Sequence, residues 1–326
     1  MIQPFEMKQT RPMELHDGAV SNTTDVWNTL VASRDGDLDR VKELAQRCRA
    51  LLTCQYDYTS PLHFAVREGH LDLVRYLVEQ GALDPIYKTH PFLDSLVTVA
   101  DDRGHDEITA LLRKSLDDPK LTHAWGDTGK IDLGKSETER RFEESVDKNK
   151  HAEVEAMLKE RPELALDERA FWGEGVLTMP AKNGDHEMLE MLMRYGACVP
   201  DLSKWGARYY FKHYETAVFL LESDMNPNHM NWRQFTLLHD MAHTGALRKA
   251  ALLLDHGADI NVIDDEYCST PLGYAARWGH REMVALLLER GADPNKAGGA
   301  WATPMAWARK RGHTEIEADL HRAGAV

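Results

Sequence analysis

The sequence predicts an all-α solenoid of helix-turn-helix units in which each unit borrows its core from the next. Three observations predict it. The string "TPLGYAARWGHREMVALLLERGADP" at 270–294 returns in near-copy at 59–85, 236–261 and 303–325. The residue at the sixth place of its opening recurs as Ala32, Ala65, Ala100, Ser145, Pro180, Tyr209, Met241, Ala275 and Ala308, at about 33-residue intervals with one longer step before Ser145. The second half of each plain copy carries apolar residues at helical spacing, such as Met283, Leu286, Leu287 and Leu288. Nine stacked units are expected, five of them degenerate.

Each element of a unit rests on local chemistry. Thr270 can satisfy an orphan amide at a helix start, and Pro271 fills the first helical place without needing a partner. Ala275 and Ala276 allow the first helix to lie close against its neighbour. Gly279 permits the turn between helices because a positive φ costs it almost nothing. Gly291 then ends the second helix as a left-handed cap.

The T-P-L-H-x-A-A opening, Gly-His turn, Leu-rich second helix and Gly-Ala-Asp close resemble the ankyrin repeat. That resemblance implies helix pairs joined by short β-hairpin or loop fingers, and a concave groove lined by the fingertips and by the two residues before each turn glycine. The expected organisation is a flexible lead-in over 1–24, repeats one to three over 25–116, an insertion over 117–137 read as a surface loop or short hairpin, and repeats four to nine over 138–326 with a polar terminal cap.

Composition sets limits on partners. Lys and Arg number 39 against 53 Asp and Glu, a net charge of −14, which opposes general binding to nucleic acid or anionic lipid. No apolar run approaches the ~20 residues that span a bilayer. Cys48, Cys54, Cys198 and Cys268 have no metal-like spacing, so reduced, mostly buried thiols in a cytoplasmic protein are expected, with no cofactor and no metal.

Candidate contact residues concentrate in the C-terminal half. The paired groove positions of repeats five to nine are Lys182 and Asn183, Phe211 and Lys212, His243 and Thr244, Arg277 and Trp278, Lys310 and Arg311: several cations and no acid. In the first four repeats the corresponding pairs cancel, as in Arg34 with Asp35. Trp and Arg are favoured at binding hot spots because they bury area and keep a polar handle. Trp172, His229, Trp232, Arg233, His243, Arg277, Trp278 and Trp301 are therefore the expected contacts for a protein or peptide of acidic and apolar character. Trp205, Tyr209, Tyr210, Tyr274 and Trp307 are read as packing, and Asp264–Tyr267 as an acidic fingertip.

The histidines after the turn glycines, His70, His105, His280 and His313, together with His63, His239 and His256, are expected to tie loop backbone between repeats. His229, His239 and His243 form an H-x9-H-x3-H run, discounted as a zinc site because His239 is already committed. A second reading is an enzyme or small-molecule sensor using the same groove, with His243 and Asp240 as weak acid-base candidates. No nucleophile elbow, phosphate loop or H-E-x-x-H motif supports it.

Overall fold

Side chains close the predicted helix starts. Ser60, Thr236, Thr270 and Thr303 accept hydrogen bonds from the amides of His63, His239, Gly273 and Ala306, and Pro61, Pro271 and Pro304 stand in the first turn. These helices end at Gly69, Gly245, Gly279 and Gly312, with left-handed φ between 69° and 84°.

The computed structural model describes residues 1–124 and 130–326 and divides into two compact units, the first Phe5–Leu133 and the second Gly134–Val326 together with Met1–Pro4. Each unit is a run of an all-α repeat solenoid. Among the described residues, the first unit holds the helix pairs Thr23–Asp35 with Leu38–Arg47, Pro61–Glu68 with Leu71–Glu79, and Leu96–Asp102 with Asp106–Leu116. The second holds Glu137–Asp147 with His151–Glu160, Thr178–Asn183 with His186–Arg194, Gly206–Tyr209 with Tyr214–Glu222, Leu237–Thr244 with Leu247–Asp255, Pro271–Trp278 with Arg281–Glu289, and Pro304–Arg311 with Thr314–Arg322. Each residue of the period falls in the first helix of a pair. Helix Pro271–Trp278 packs against Leu237–Thr244 and Pro304–Arg311, so its alanines lie between neighbours and are fully buried. In the first unit Val41, Leu62, Val74, Leu77, Val99 and Leu112 form a core drawn from all three pairs.

Three expectations need correction. Residues 1–24 are not a loose lead-in: Met7, Met13 and Leu15 are buried, and Pro12–Glu14 pairs antiparallel with Val20–Asn22. The apolar residues among them are too few to show as a periodic pattern, yet they seat the segment. The expected insertion supplies the third strand of that sheet, Lys130–Ile131, and His123 donates to the Leu83 carbonyl at 3.0 Å; residues 125–129 of this stretch lie outside the described residues. Of the two forms expected for the fingers, hairpin or loop, the described residues show loops that carry isolated bridges such as Met230 with Thr236 and Ser269 with Ala297. Of the cysteines, Cys54 alone is buried, where desolvation pushes its thiol up; Cys198 is exposed. No helix among the described residues is long and apolar enough to cross a membrane.

Candidate functional site

A recurring staple frames the candidate surface. The ring Nε2 of His70 donates to the Arg34 carbonyl at 2.7 Å, His105 to Arg67 at 3.2 Å, His213 to Lys182 at 3.1 Å, His280 to His243 at 2.8 Å and His313 to Arg277 at 3.3 Å. The acceptor is each time the first of the two groove positions of the preceding repeat. At Gly245 the histidine is replaced by Ala246, and another residue takes its work. Lys249 stands where Met283 stands in the following repeat, and its Nζ reaches the carbonyls of Phe211 at 2.5 Å and Lys212 at 3.0 Å. Burial holds the Lys249 ammonium below its usual pKa. His256 departs from expectation: its Nδ1 bonds the Leu252 carbonyl of its own helix.

The structure separates the expected contact residues into exposed and buried groups. Trp172 is 63% exposed at the tip of the Ala170–Gly173 turn, where both it and Phe171 adopt positive φ, at 65° and 47°. The turn is held by the Phe171 amide on the Glu143 carboxylate and by Lys204 Nζ on the Trp172 carbonyl at 2.8 Å. Two non-glycine residues in this region cost on the order of 1–3 kcal/mol each, so the fold sustains strain to hold an indole in water.

Trp232, Arg233 and His229 are corrections. Trp232 is 0% exposed, because Asn231 Oδ1 accepts from the amides of Arg233 and Phe235 and turns the loop inward. Arg233 forms a buried ion pair with Glu266 at 3.2 Å. His229 donates from Nδ1 to the Pro200 carbonyl at 2.7 Å and accepts from Ser203 Oγ at 2.7 Å, and burial lowers its pKa to about 4. It is a neutral strut between fingers, not a contact residue. His239 is likewise committed, to Thr236 at Nδ1 and to the Ser269 carbonyl at Nε2, 3.1 Å away. Two of the three histidines of the run thus spend both ring nitrogens on protein groups.

Arg277 is also buried, at 5% exposure. Its guanidinium carbon lies 4.5, 4.7 and 4.6 Å from the ring centres of Tyr267, Trp278 and Trp307. A cation so enclosed by ring faces is a packing element. Trp278 is half-buried above it, stacked on Tyr274 at 5.2 Å and meeting His243 edge-on at 4.6 Å. Trp301 is half-buried against Trp307. Tyr210, Tyr274 and Trp307 are fully buried, and Trp205 and Tyr209 half-buried. The acidic fingertip is largely turned inward: Asp264 accepts from the Tyr274 hydroxyl at 2.7 Å and from the amides of Glu266, Tyr267 and Ser269.

Between residues 178 and 255 the surface carries acids, Glu187, Asp201 and Glu215 among them, and a group of cations close to the turns. Arg208, Lys212 and Arg248 are exposed, Lys182 and Lys249 half-buried, and Asp240 sits beside them. Desolvation lifts the Asp240 carboxyl to about 6, against the opposing pull of Arg208 and Lys249. A carboxyl raised from its ordinary 3.8 leaves the unfolded chain to ionise first, so the penalty on folding is absent below 3.8, grows between 3.8 and about 6, and is complete above that. Asp240→Asn is expected to raise the melting temperature at pH 7.5 by the equivalent of about 1–2 kcal/mol, with the gain vanishing near pH 4. His229 titrates alike in both proteins, so its acid destabilisation cancels in the difference. A gain independent of pH would refute the raised carboxyl.

Sequence reasoning misses Lys249, Arg208 and Arg248. The available signal is the missing histidine at Ala246, which leaves the Phe211 carbonyl in need of another donor. A separate hollow of about 650 Å³ is lined by Arg281, Glu282, Ala285, Leu288, Asp319, Arg322 and Ala323, and Asp319 pairs with both arginines. Both of its arginines are thus neutralised by a carboxylate.

The family described as ankyrin repeats, in three copies, matches residues 29–123 and 205–297, more than half of the chain. Over 79 residues, 24% of the chain, it is 37% identical to the ARF GTPase-activating protein Git of Drosophila melanogaster and 38% identical to the ARF GTPase-activating protein GIT1 of Homo sapiens. Over 95 residues, 29% of the chain, it is 34% identical to the B-cell lymphoma 3 protein homolog of Mus musculus. These matches span 11%, 10% and 21% of those proteins.

Proposed function

The chain belongs to the ankyrin-repeat family, a protein-interaction architecture, and on that premise we propose that it takes a protein or peptide partner of acidic and apolar character on the surface of its C-terminal repeats. In this reading the nine helix pairs are nine ankyrin units, and repeats five to nine form the recognition surface. Trp172, held in water by a strained and buttressed turn, is the observation that carries it. Trp278, His243 and Trp301 extend the apolar component, Arg208, Lys212 and Lys310 the cationic one, and Arg277 supports Trp278 from beneath.

Affinity capture from source cells, with wild type and Trp172→Ala as baits and Trp278→Ala beside them, tests the proposal. A partner held by wild type should be lost by Trp172→Ala at unchanged melting temperature, since a hot-spot aromatic contributes ~2 kcal/mol or more to binding. Undiminished capture by both variants would refute it.

A further inference from the structure

Most arginines and lysines elsewhere in the second unit are spoken for. Arg141, Lys148, Lys150, Arg161, Arg169, Arg281, Arg290 and Arg322 all sit within 4.0 Å of a carboxylate. The basic groups around the turns of repeats five to seven differ. Lys212 Nζ and His213 Nε2 both reach the Lys182 carbonyl, at 3.2 and 3.1 Å, and Lys249 Nζ reaches the carbonyls of Phe211 and Lys212. The donors are thus drawn to backbone oxygens, which carry no charge to neutralise them. The guanidinium carbon of Arg208 lies 4.8 Å from the Trp205 ring centre and that of Arg248 4.2 Å from the Tyr214 ring centre. Each guanidinium thus rests against a ring while its residue stays exposed, and a side chain already restrained in this way loses less entropy on taking up a carboxylate.

We propose that the turn surface of repeats five to seven, centred on Arg208, Lys212 and Arg248, is the recognition site for an extended acidic peptide whose aromatic residues pack beside Trp205 and Tyr214. This rests on the broader reading of the C-terminal repeats as a partner surface, and it locates the electrostatic part of it. Charge complementarity selects the occupant. The cations are local on a chain of net charge −14, which disfavours a long polyanion overall but not a short acidic segment laid along the patch. Asp240 is a carboxylate set among these cations, with Arg208 and Lys249 acting on it. It repels an acidic ligand and so sets a limit on how much charge the segment carries.

The test measures binding of a fluorescein-labelled peptide of alternating glutamate and tyrosine by anisotropy, with the glutamine-for-glutamate peptide and oligothymidylate as competitors. The glutamate peptide should bind, weaken as salt is raised, and lose about tenfold in affinity to the Arg208→Glu, Arg248→Glu protein. Neither substituted side chain donates to backbone in the folded chain, and Arg208→Gln, Arg248→Gln guards against any effect on folding by giving an intermediate loss at unchanged melting temperature. Asp240→Asn should tighten binding about threefold. Equal affinity for the glutamate and glutamine peptides, indifference to charge reversal, or tighter binding of oligothymidylate would each overturn the proposal. Partner capture that survives charge reversal but is lost with Trp172→Ala would overturn this location alone and leave the broader reading intact.

Discussion

Trp232→Ala should melt far below the wild type, at a cost of about 3–5 kcal/mol, while Trp172→Ala stays within about 1 kcal/mol of it. Both tryptophans occupy finger segments and neither is flanked by a periodic apolar pattern, so the sequence offers no means to tell them apart. Structure separates them through the hydrogen bonds of the surrounding loop. At Trp232 the Asn231 side chain gathers the amides of Arg233 and Phe235, the Trp232 carbonyl accepts from the Ile2 amide at 2.8 Å, and the Arg233 guanidinium lies 5.4 Å from the ring centre while pairing with buried Glu266. Removing the indole opens a cavity in a finger whose remaining walls are polar and mutually paired, so the site cannot collapse cheaply. At Trp172 the side chain is already 63% exposed, so truncation removes little buried area. Urea or thermal melts of the two variants decide the matter, and a Trp232→Ala protein as stable as wild type would contradict the buried finger.

The period of the first helices is plainest in the sequence where the residue between neighbours is a small alanine and a glycine with positive φ follows, as at Ala65, Ala275 and Ala308; Pro180, Tyr209 and Met241 keep the spacing without that residue type. Every residue from Ala32 to Ala308 in that series lies in the first helix of a pair. The staple histidines His70, His105, His280 and His313 are legible for the same reason, since each follows a turn glycine, whereas His213 follows Lys212 and gives no such signal. Fingers are not legible. Their conformation is set by one-off side-chain bonds such as Asn231 to Arg233, Asp264 to Ser269 and Glu174 to Lys204, which have no period and leave no signature in composition. Residue type and position alone consequently put Trp232, Arg233, His229 and Arg277 on a surface, when they belong to the interior. The basic patch is half legible. Its cations can be counted, but Arg208 and Arg248 gain their orientation from Trp205 and Tyr214, and Lys249 declares itself only through the histidine missing at Ala246.

Gly279→Val should cost about 3–5 kcal/mol, and Gly312→Val no more than about 1–2, although the two glycines have nearly the same conformation, with φ of 77° and 73°. Both end a first helix as the left-handed cap, and a β-branched residue is strained at either. The difference lies in the neighbouring repeat. A Cβ on Gly279 would stand 2.7 Å from Cε1 and 3.1 Å from Nε2 of His313, the ring that donates to the Arg277 carbonyl. At Gly312 nothing lies within 4 Å. The same crowding recurs at Gly69 against His105 and at Gly245 against His280, so the turn glycine and the staple histidine of the next repeat are a matched pair: the histidine can reach the carbonyl because the glycine has no side chain in its way. Valine at 279 must either displace His313 and orphan the Arg277 carbonyl or shift the helix pair that carries His313 against its neighbour, and in a solenoid each pair is held by such neighbour interfaces. Gly279→Val, His313→Ala relieves the clash and should recover part of the loss. Equal melting shifts for Gly279→Val and Gly312→Val, or no recovery in the double variant, would show that the cost is backbone strain alone and that the histidine contact adds nothing.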